Sequence, residues 1–509
     1  MASSKEDNVE KISVKNYRSI SDSGNIDICP LTVVVGKNSA GKSSFIRLFP
    51  LLKQTLERKI SDPLLWYGDY VDFGDFQHTV SKQNPNNPIE IDFTERVHSR
   101  YFYRHFISNN SDKDFLADVK LCIREKFIES VKIQIWDQVI CININENGYA
   151  KIVVNNDERP FEKKEILSVT QTGDIIPTLY EKNTKRKDNY YIRQRLGSDC
   201  ISYCIDHIYI KSNRKNIKEN ISIYDGIDVK FDSKENILKQ LKKKNPAKYE
   251  DVKIEHKRFQ KLNNYIVATK ISEIIDRINA SVLEDMRQTS YLKPIRAMVN
   301  RYYRVQGISI DELDADGSNL PMILKNMSKT ELSSFELWSK EKFGVVFSVT
   351  SGEGHISLVI KDDVEGIIMT NVADTGYGYS QMLPIVMLLW MIHNQKRNYN
   401  YVQNRTIVIE QPELHLHPAY QAKMIDVFIN IINEAKKNKV VIKIILETHS
   451  ETMINRIGTL ISEKKIDNRD VNVLIFNKIM GNTEINSKSF NEDGLLMGWP
   501  IGFFSIEED

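Results

Sequence analysis

The sequence predicts an α/β protein built on a mostly parallel sheet flanked by helices, with an antiparallel β subdomain and an inserted helical arm. Three observations predict this class. The β-branched run Leu31–Val35 is followed by a glycine-rich turn and by a helix that starts near Ser44. Two later apolar runs, Thr406–Glu410 and Val440–His449, have the composition of buried strands. Alternating apolar and polar residues between positions 89 and 154 predict short strands of a second, antiparallel sheet.

The glycine-rich turn is a complete G-x-x-x-x-G-K-S phosphate loop. A strand, a glycine turn and a helix N-terminus form an anion cradle, because the first-turn N–H groups and the helix dipole point toward the phosphates. Lys42 is expected to reach the β- and γ-phosphates, and the Ser43 hydroxyl is expected to be a ligand of Mg²⁺. The sequence therefore predicts that the chain binds ATP with Mg²⁺. The nucleotide-binding residues predicted in this loop are Gly36, Asn38, Ser39, Gly41, Lys42, Ser43 and Ser44.

Three further motifs in the second half of the chain fit the same kind of site. The run Thr406–Glu410 ends in an acid, and an acid at that place normally holds the Mg²⁺ shell opposite the loop serine. The run Val440–His449 closes on a histidine. A glycine-rich turn that contains Ser380 opens a strongly apolar helix, which provides a second helix N-terminus suited to a phosphate.

The order of these motifs resembles the ABC-type ATPases of the SMC, RecF and overcoming-lysogenisation-defect branch. In that family two heads clamp two ATP molecules, each between the phosphate loop of one head and the signature motif of the other. The resemblance implies a homodimer or higher oligomer, with Ser380 and Gly378 in the signature turn. It also implies that Glu410 is the Walker B acid and that His449 is the switch histidine that senses the γ-phosphate.

Some of the assignments that the resemblance implies have alternatives. Gln77, or else His78, is the candidate for the glutamine-loop residue that reaches the Mg²⁺. His415 and His417 enclose a single leucine and precede a proline, and the resemblance places them in a loop at the dimer interface rather than at a zinc site. For His449 the alternative is a buried histidine with a purely structural role.

The residue after the Walker B acid departs from the family pattern. Most ABC-type ATPases carry a catalytic glutamate there, which positions the attacking water. This chain has Gln411, which cannot take a proton as a general base. Glu413 lies two residues further on, beyond a proline, and is the candidate replacement, so we expect slow turnover with ATP acting mainly as a conformational clamp. The residues predicted to act in hydrolysis are Glu410, Gln411, Glu413 and His449.

The segment from about residue 161 to 290 is rich in Lys, Asn, Ile and Tyr and has no phosphate-binding or catalytic pattern. Its most basic stretch, Lys239–Lys261, is interleaved with Tyr249 and Phe259, and Tyr265 follows. One interpretation is a patch for a nucleic-acid backbone, and the other is the solvated face of a helical arm. The predicted parts of the chain are the first half of the ATPase head (1–160), the basic insert (161–290) and the second half of the head (291–509).

Composition and cysteine usage are those of an ordinary intracellular protein. The 509 residues are 41% hydrophobic and 27% charged, and a formal net charge of +2 excludes no class of partner. We expect no membrane segment and a cytoplasmic location, because no long apolar run and no signal peptide are present. Five scattered cysteines indicate reduced thiols. Cys200, Cys204 and His207 lack a fourth ligand, so a metal site there is not favoured.

Four segments resemble a narrower group, the ATPases of Septu antiphage systems (the PtuA group). They are Leu51–Gln54, Tyr291–Arg296, Glu410–Pro418 and Gly498–Phe504. In those systems, free-standing or linked to a retron, the ATPase assembles with PtuB, an HNH nuclease. The resemblance implies an ATPase scaffold that restrains the nuclease and a nucleotide state that responds to infection. A retron reverse transcriptase and its nucleic acid are further candidate partners.

The alternative is a RecF-like ATPase of DNA repair or recombination that binds DNA directly through Lys239–Lys261. We expect no nuclease site in the chain itself, because too few residues follow His449 for a TOPRIM domain and no HNH pattern is present. The nucleotide-binding subunit of a membrane transporter is disfavoured, because the Leu-Ser-Gly-Gly-Gln signature is absent.

Overall fold

A computed structural model describes residues 10–97, 114–162, 164–182, 196, 198–208, 229–305, 307, 310, 312–352, 354–361, 369–394, 404–438 and 440–498. The strands before residue 290 begin with β1 (Glu10–Tyr17), β2 (Ile20–Asp22), β3 (Ile26–Ile28), β4 (Leu31–Gly36), β5 (Ile89–Val97) and β6 (Phe115–Ile123). They continue with β7 (Ile128–Ile135), β8 (Gln138–Ile144), β9 (Tyr149–Val154), β10 (Ile166–Val169) and β11 (Thr178–Glu181). The helices of this half are α1 (Lys42–Ile46), α2 (Leu48–Glu57), α3 (Phe76–Thr79), α4 (Ser198–Ile208), α5 (Lys234–Lys244), α6 (Pro246–Tyr249), α7 (Lys257–Ala268) and α8 (Ile271–Arg287).

The second half of the chain alternates strands and helices more regularly. Its strands are β12 (Thr289–Leu292), β13 (Tyr303–Arg304), β14 (Val346–Gly352), β15 (His355–Lys361), β16 (Met369–Asn371), β17 (Asn404–Glu410), β18 (Val441–Glu447), β19 (Val471–Ile479) and β20 (Asn482–Lys488). Its helices are α9 (Leu320–Asn326), α10 (Lys329–Phe343), α11 (Tyr377–Asn394), α12 (Pro418–Lys437) and α13 (Glu451–Ser462).

The predicted mostly parallel sheet is present, in the order β12-β17-β18-β4-β19-β20. Every neighbouring pair in it is parallel except β19 and β20, which form a hairpin. The phosphate-loop strand β4 therefore lies between two strands from the last seventy residues of the chain. Strand β18 in turn separates β4 from β17, so the end of β18 lies between the phosphate loop and Glu410.

Side chains of the parallel sheet alternate between two separate layers of core. Val34 packs with the antiparallel sheet and with α1, α2 and α8, whereas Val33 and Val35 pack with α10 to α13. Because successive side chains of a strand point to opposite faces, a strand buried on both faces must be apolar throughout. This explains the unbroken apolar runs in β4, β17 and β18.

The predicted antiparallel sheet is also present, and among the described residues it has ten strands. Its order is β11-β10-β9-β8-β7-β6-β5-β1-β2, with β3 paired to the free edge of β1. A smaller antiparallel sheet of β13 to β16 lies beside α9 and α10.

Helices α4 to α7 enclose a small core of their own, separate from the two large ones. Tyr249 and Phe259 lie fully buried in this core, so these two rings belong to the interior and are not offered to a ligand. Several cations of the basic stretch are exposed, among them Lys239, Lys243 and Arg258. No helix in the described part of the chain is long and apolar enough to cross a membrane.

A buried charge cluster joins the two large sheets. Lys443 of β18 forms an ion pair with Glu10 of β1, and Asp285 of α8 and Glu95 of β5 also act on its charge. Glu95 is 6% exposed and accepts a hydrogen bond from the Ser281 hydroxyl at 2.7 Å. Burial raises the pKa of Glu95 well above its ordinary value and raises that of Asp285 to about 6. One lysine thus faces three carboxyl groups, and burial disfavours the charged form of Glu95.

We predict that Glu95→Gln stabilises the protein at alkaline pH. A carboxyl group whose folded-state pKa is raised contributes stability below its unfolded-state pKa and loses it as the pH rises through the folded-state value. The variant should match the wild type near pH 4 and exceed its free energy of unfolding near pH 8 by on the order of 1 kcal/mol. Urea unfolding at the two pH values measures the difference. Glu146→Gln, in the exposed β8–β9 turn, is the control; equal pH dependence of the Glu95 variant and the wild type would contradict the assignment.

Candidate functional site

The phosphate loop connects β4 to α1 and needs glycine at its last turn. Gly41 has a φ of +98°, in the region that side chains with a Cβ rarely adopt, and a Cβ there would lie 2.5 Å from Thr483 Oγ1. The Thr483 hydroxyl donates a hydrogen bond to the carbonyl oxygen of Ala40 at 2.8 Å, and its backbone N–H donates to Ser19 at 2.8 Å. The β19–β20 hairpin therefore supports the loop from behind.

A cavity of about 670 Å³ opens in front of the loop. The predicted residues Asn38, Ser39, Gly41, Lys42, Ser43 and Ser44 all line it, together with Gln411, Glu447 and His449. Its other rim is formed by Arg18 and Ser19 and by the turn of the β19–β20 hairpin, with Lys478 and Asn482. The volume lies in the range of sites that hold a small molecule of nucleotide size.

Lys42 is folded back against its own loop. Its ammonium group donates hydrogen bonds to the carbonyl oxygens of Gly36 and Lys37, both at 2.9 Å, and the side chain is 4% exposed. Burial lowers the pKa of Lys42 from its ordinary value. Because both hydrogen-bond acceptors are neutral carbonyl groups, this buried ammonium group is placed to exchange them for phosphate oxygens.

Ser43 does not meet Glu410, the acid that the sequence assigns to the metal. Its hydroxyl donates instead to Glu447 Oε2 at 2.9 Å, and Glu447 Oε1 lies 3.9 Å from the Lys42 ammonium group. Glu447 ends β18, directly between β4 and β17, and is 2% exposed. Burial raises the pKa of its carboxyl group to about 7.

Glu410 is instead held in a hydrogen-bonded network behind the loop. Arg47, just after α1, donates to both of its carboxylate oxygens at 2.7 and 2.8 Å, and the Tyr291 hydroxyl donates to Oε1 at 2.5 Å. Glu410 is 1% exposed and does not line the cavity. In this structure its side chain fixes α1 and β12 to the end of β17.

The residues after Glu410 meet the end of β18. The backbone N–H of Gln411 donates to the Glu447 carbonyl at 2.8 Å, and Glu413 Oε1 accepts from the backbone N–H of His449 at 2.6 Å. His449 is exposed and lines the cavity, so the alternative of a buried structural histidine is wrong. Burial raises the pKa of Glu413. Partial desolvation at the cavity wall, together with the nearby charge of Lys42, lowers the pKa of His449. Gln411 and Glu447 face the loop, whereas Glu413 lies in an adjoining cavity on the far side of His449.

The turn that resembles a signature motif lies outside the phosphate cavity of its own chain. Gly378 and Ser380 stand in the first turn of α11 and do not line that cavity. The Ser380 hydroxyl donates to the Tyr377 carbonyl at 2.7 Å. Gly378 packs against the loop after β17, because a Cβ there would lie 2.8 Å from the His415 carbonyl oxygen. His415 and His417 are exposed.

The two candidates for the glutamine-loop residue lie differently in the structure. Gln77 donates to Glu125 at 3.2 Å and does not line the phosphate cavity, whereas its neighbour His78 lines it. Asp75 caps α3 and accepts from the His78 ring at 2.8 Å. The role of Gln77 at the metal stays a prediction, and His78 is the one of the two that lines the cavity.

No group of three metal-binding side chains of the His, Cys, Asp or Glu type converges anywhere in the described ranges. Cys200 and Cys204 are buried on α4, and burial raises the pKa of the Cys204 thiol. His207 is stacked on the ring of Tyr203. These three residues pack as part of the fold and form no metal centre in the described structure.

Sequence reasoning missed three residues that organise the site, namely Arg47, Glu447 and Arg296. Arg296 is 2% exposed and donates to the Glu410 carbonyl at 3.0 Å, while its backbone N–H donates to the Gln381 side chain of α11 at 3.4 Å. Its Nε and Nη1 atoms, like Glu413 Oε2, have no hydrogen-bond partner among the described residues. Burial lowers the pKa of Arg296 to about 10. Glu447 had a signal, since it is a second acid at the end of a buried strand.

A family model for the AAA ATPase domain matches residues 8–454. The match spans most of the chain, which therefore belongs to this family, and it confirms the predicted class of ATPase. No curated protein matches the sequence.

Several solved structures align with nearly the whole chain. One is an Smc head bound to the C-winged helix domain of ScpA, with 10% identity and a TM-score of 0.35, covering 95% of this chain and 98% of that one. A second is the Smc head domain of Pyrococcus furiosus with an extended coiled coil, bound to the C-terminal domain of ScpA. Its identity is 11% and its TM-score is 0.34, and the alignment covers 94% of this chain and 96% of that one. A third is the SMC head domain of Thermotoga maritima. Its identity is 8% and its TM-score is 0.34, and the alignment covers 94% of this chain and 98% of that one.

We predict that Thr483→Val weakens ATP binding without altering the shape of the hairpin. The variant keeps the volume of the side chain but loses the hydrogen bond to Ala40, a loss of about 1 kcal/mol, or about fivefold in affinity. Titration calorimetry with ATP measures it. Thr483→Ser keeps the hydroxyl and should bind like the wild type. Equal affinity of the Val and Ser variants would show that the hairpin does not support the loop.

Proposed function

We propose that this chain is an ATP-binding, slowly hydrolysing scaffold and sensor ATPase of a prokaryotic antiphage complex, in which it holds and regulates an HNH nuclease subunit. The observation that carries the proposal is the division of the predicted site. Lys42, Ser43 and His449 line one cavity, while Gly378 and Ser380 lie outside it. The proposal joins this geometry to the family match and to the resemblance to the PtuA group.

The phosphate cavity fits a magnesium nucleotide. Hydroxyl and carboxylate oxygens at Ser43 and Glu447 are the ligand types that Mg²⁺ prefers, and Lys42 has an ammonium group free to leave its loop carbonyls. Bound MgATP would supply the phosphoanhydride bond that is cleaved. The chain supplies the loop N–H groups and Lys42 to hold the phosphates, and His449 at the mouth of the cavity to sense their presence.

A site divided in this way implies pairing of two chains. The helix N-terminus at Gly378 and Ser380 can serve as a phosphate ligand only for a nucleotide that another molecule presents to it. The loop after Glu410 packs against Gly378, and Glu413 in that loop accepts from His449. Binding of nucleotide at His449 can therefore be transmitted to the signature turn through a short chain of contacts.

Slow turnover follows from the residues that face the cavity. Gln411 occupies the position of the usual catalytic glutamate and offers no base. Glu413 uses one carboxylate oxygen to hold the His449 backbone and lies in the adjoining cavity. A head that binds ATP firmly and hydrolyses it slowly suits a sensor that waits for a signal.

The nuclease partner is proposed from the resemblance to the PtuA group. Two of the segments that carry it meet in the structure, because Tyr291 and Arg296 both donate to Glu410. A third segment, Leu51–Gln54, lies in α2. Most of the fourth, Gly498–Phe504, lies outside the described residues. A retron reverse transcriptase with its nucleic acid remains a proposed further partner.

We predict that one substitution abolishes ATP binding, whereas others abolish ATP-dependent dimerisation and leave binding in place. Lys42→Ala should lose ATP binding, because the buried ammonium group is its main phosphate ligand. Ser380→Ala and His449→Ala should bind ATP within a few-fold of the wild type and fail to dimerise with it. Titration calorimetry gives the affinities, and light scattering with and without ATP gives the mass. ATP-induced dimers of both variants would refute the divided site.

We predict that the tagged chain co-purifies from its native host with an HNH protein in fixed ratio. Lys42→Ala, made in the same host, tests whether nucleotide controls the complex and whether phage protection depends on ATP. Mass spectrometry identifies the partners. A lone dimer that carries DNA, with salt-sensitive binding lost when Lys243 and Arg258 are changed to Glu, would instead favour the RecF-like alternative. If the Lys42→Ala variant still protected its host against phage, the proposed sensor role would be wrong.

A further inference from the structure

Two acids end neighbouring strands of the parallel sheet, and only one of them faces the nucleotide cavity. Glu410 of β17 and Glu447 of β18 are direct register partners, so their backbones lie side by side at the same edge. Glu447 contacts Ser43 and lines the cavity, whereas Glu410 does neither. We infer that Glu447, and not the Walker B acid Glu410, supplies the carboxylate to the Mg²⁺ of the nucleotide. This inference rests on the proposed binding of MgATP.

The hydrogen bonds of Glu410 hold its carboxylate outside the nucleotide cavity. Both of its carboxylate oxygens accept from the Arg47 guanidinium group, and Oε1 accepts from Tyr291 as well. These are charge-assisted bonds in a buried position. Turning Glu410 toward a metal would leave the partly exposed Arg47 without its carboxylate partner and the buried Tyr291 without its acceptor.

Glu447 is held loosely enough to serve a metal. Its carboxylate accepts one hydrogen bond in the described structure, from the Ser43 hydroxyl, and has the Lys42 ammonium group at 3.9 Å. Both partners are residues expected to move when nucleotide binds, Lys42 toward the phosphates and Ser43 toward the metal. The carboxylate oxygens of Glu447 would then stand beside the Ser43 hydroxyl, on the metal side of the cleft.

The same strand end connects this acid to the γ-phosphate sensor. Glu447 and His449 are two residues apart, and the backbone of β18 beyond Glu447 is fixed to β4 by the Thr448 N–H, which donates to Val34 at 3.0 Å. The inferred metal position and the sensing histidine therefore lie on one strand end, which is fixed to the phosphate-loop strand. Glu410 in this arrangement is a positioning residue that fixes α1 behind the loop.

The test compares two isosteric variants of the full chain, Glu447→Gln and Glu410→Gln. Calorimetry measures ATP affinity in Mg²⁺ and in EDTA, and electron paramagnetic resonance measures Mn²⁺ binding to the ATP complex. Glu447→Gln should bind ATP in EDTA at least as tightly as the wild type. Mg²⁺ should no longer increase its affinity for ATP, and its ATP complex should bind Mn²⁺ about tenfold or more weakly. Glu447→Asp should recover part of the metal dependence.

In Glu410→Gln, Mg²⁺ should still increase the affinity for ATP, and the Mn²⁺ signal should remain. This variant should instead melt at a lower temperature, because it breaks the ion pair between Arg47 and Glu410. Loss of metal dependence in Glu410→Gln with its retention in Glu447→Gln would overturn the inference. Failure of the wild-type chain to bind ATP in EDTA and in Mg²⁺ would refute the proposed function itself, which separates the two failures.

Discussion

The central constraint on this molecule is that its phosphate loop is completed by residues more than four hundred positions away in sequence. Strand β4 pairs on one side with β18 and on the other with β19, so neither flank comes from the first half of the chain. Thr483 holds the last turn of the loop, and Glu447 holds the first hydroxyl of α1. A short glycine-rich loop has high conformational entropy, and these distant contacts are what fix it in one form.

Charge is distributed unevenly around this loop, with consequences for how the site works. Behind it, the Arg47–Glu410 pair is closed and saturated with hydrogen bonds. In front, Lys42 and Glu447 are buried with few partners, which is costly unless a charged ligand completes them. Two buried, oppositely charged groups therefore lie together at the wall of the cavity.

The sequence alone predicts the parts of this structure that depend on local pattern. The phosphate loop, the apolar strands β4, β17 and β18, and the alternating strands of the second sheet all follow from spacing and composition. It does not predict which of two acids faces Ser43, because that depends on strand order and on Arg47, which is distant from Glu410 in sequence. The orientation of Gln77 toward Glu125, and the burial of Tyr249 and Phe259, depend on tertiary packing in the same way.

The hairpin of β19 and β20 also sets the order in which the molecule can mature. During synthesis, Ala40 of the loop is made 443 positions before Thr483, whose hydroxyl group holds it. A growing chain that stops before residue 483 has a phosphate-loop sequence but no rigid phosphate loop. A fragment that lacks this hairpin is therefore expected to carry the loop sequence without a formed nucleotide site.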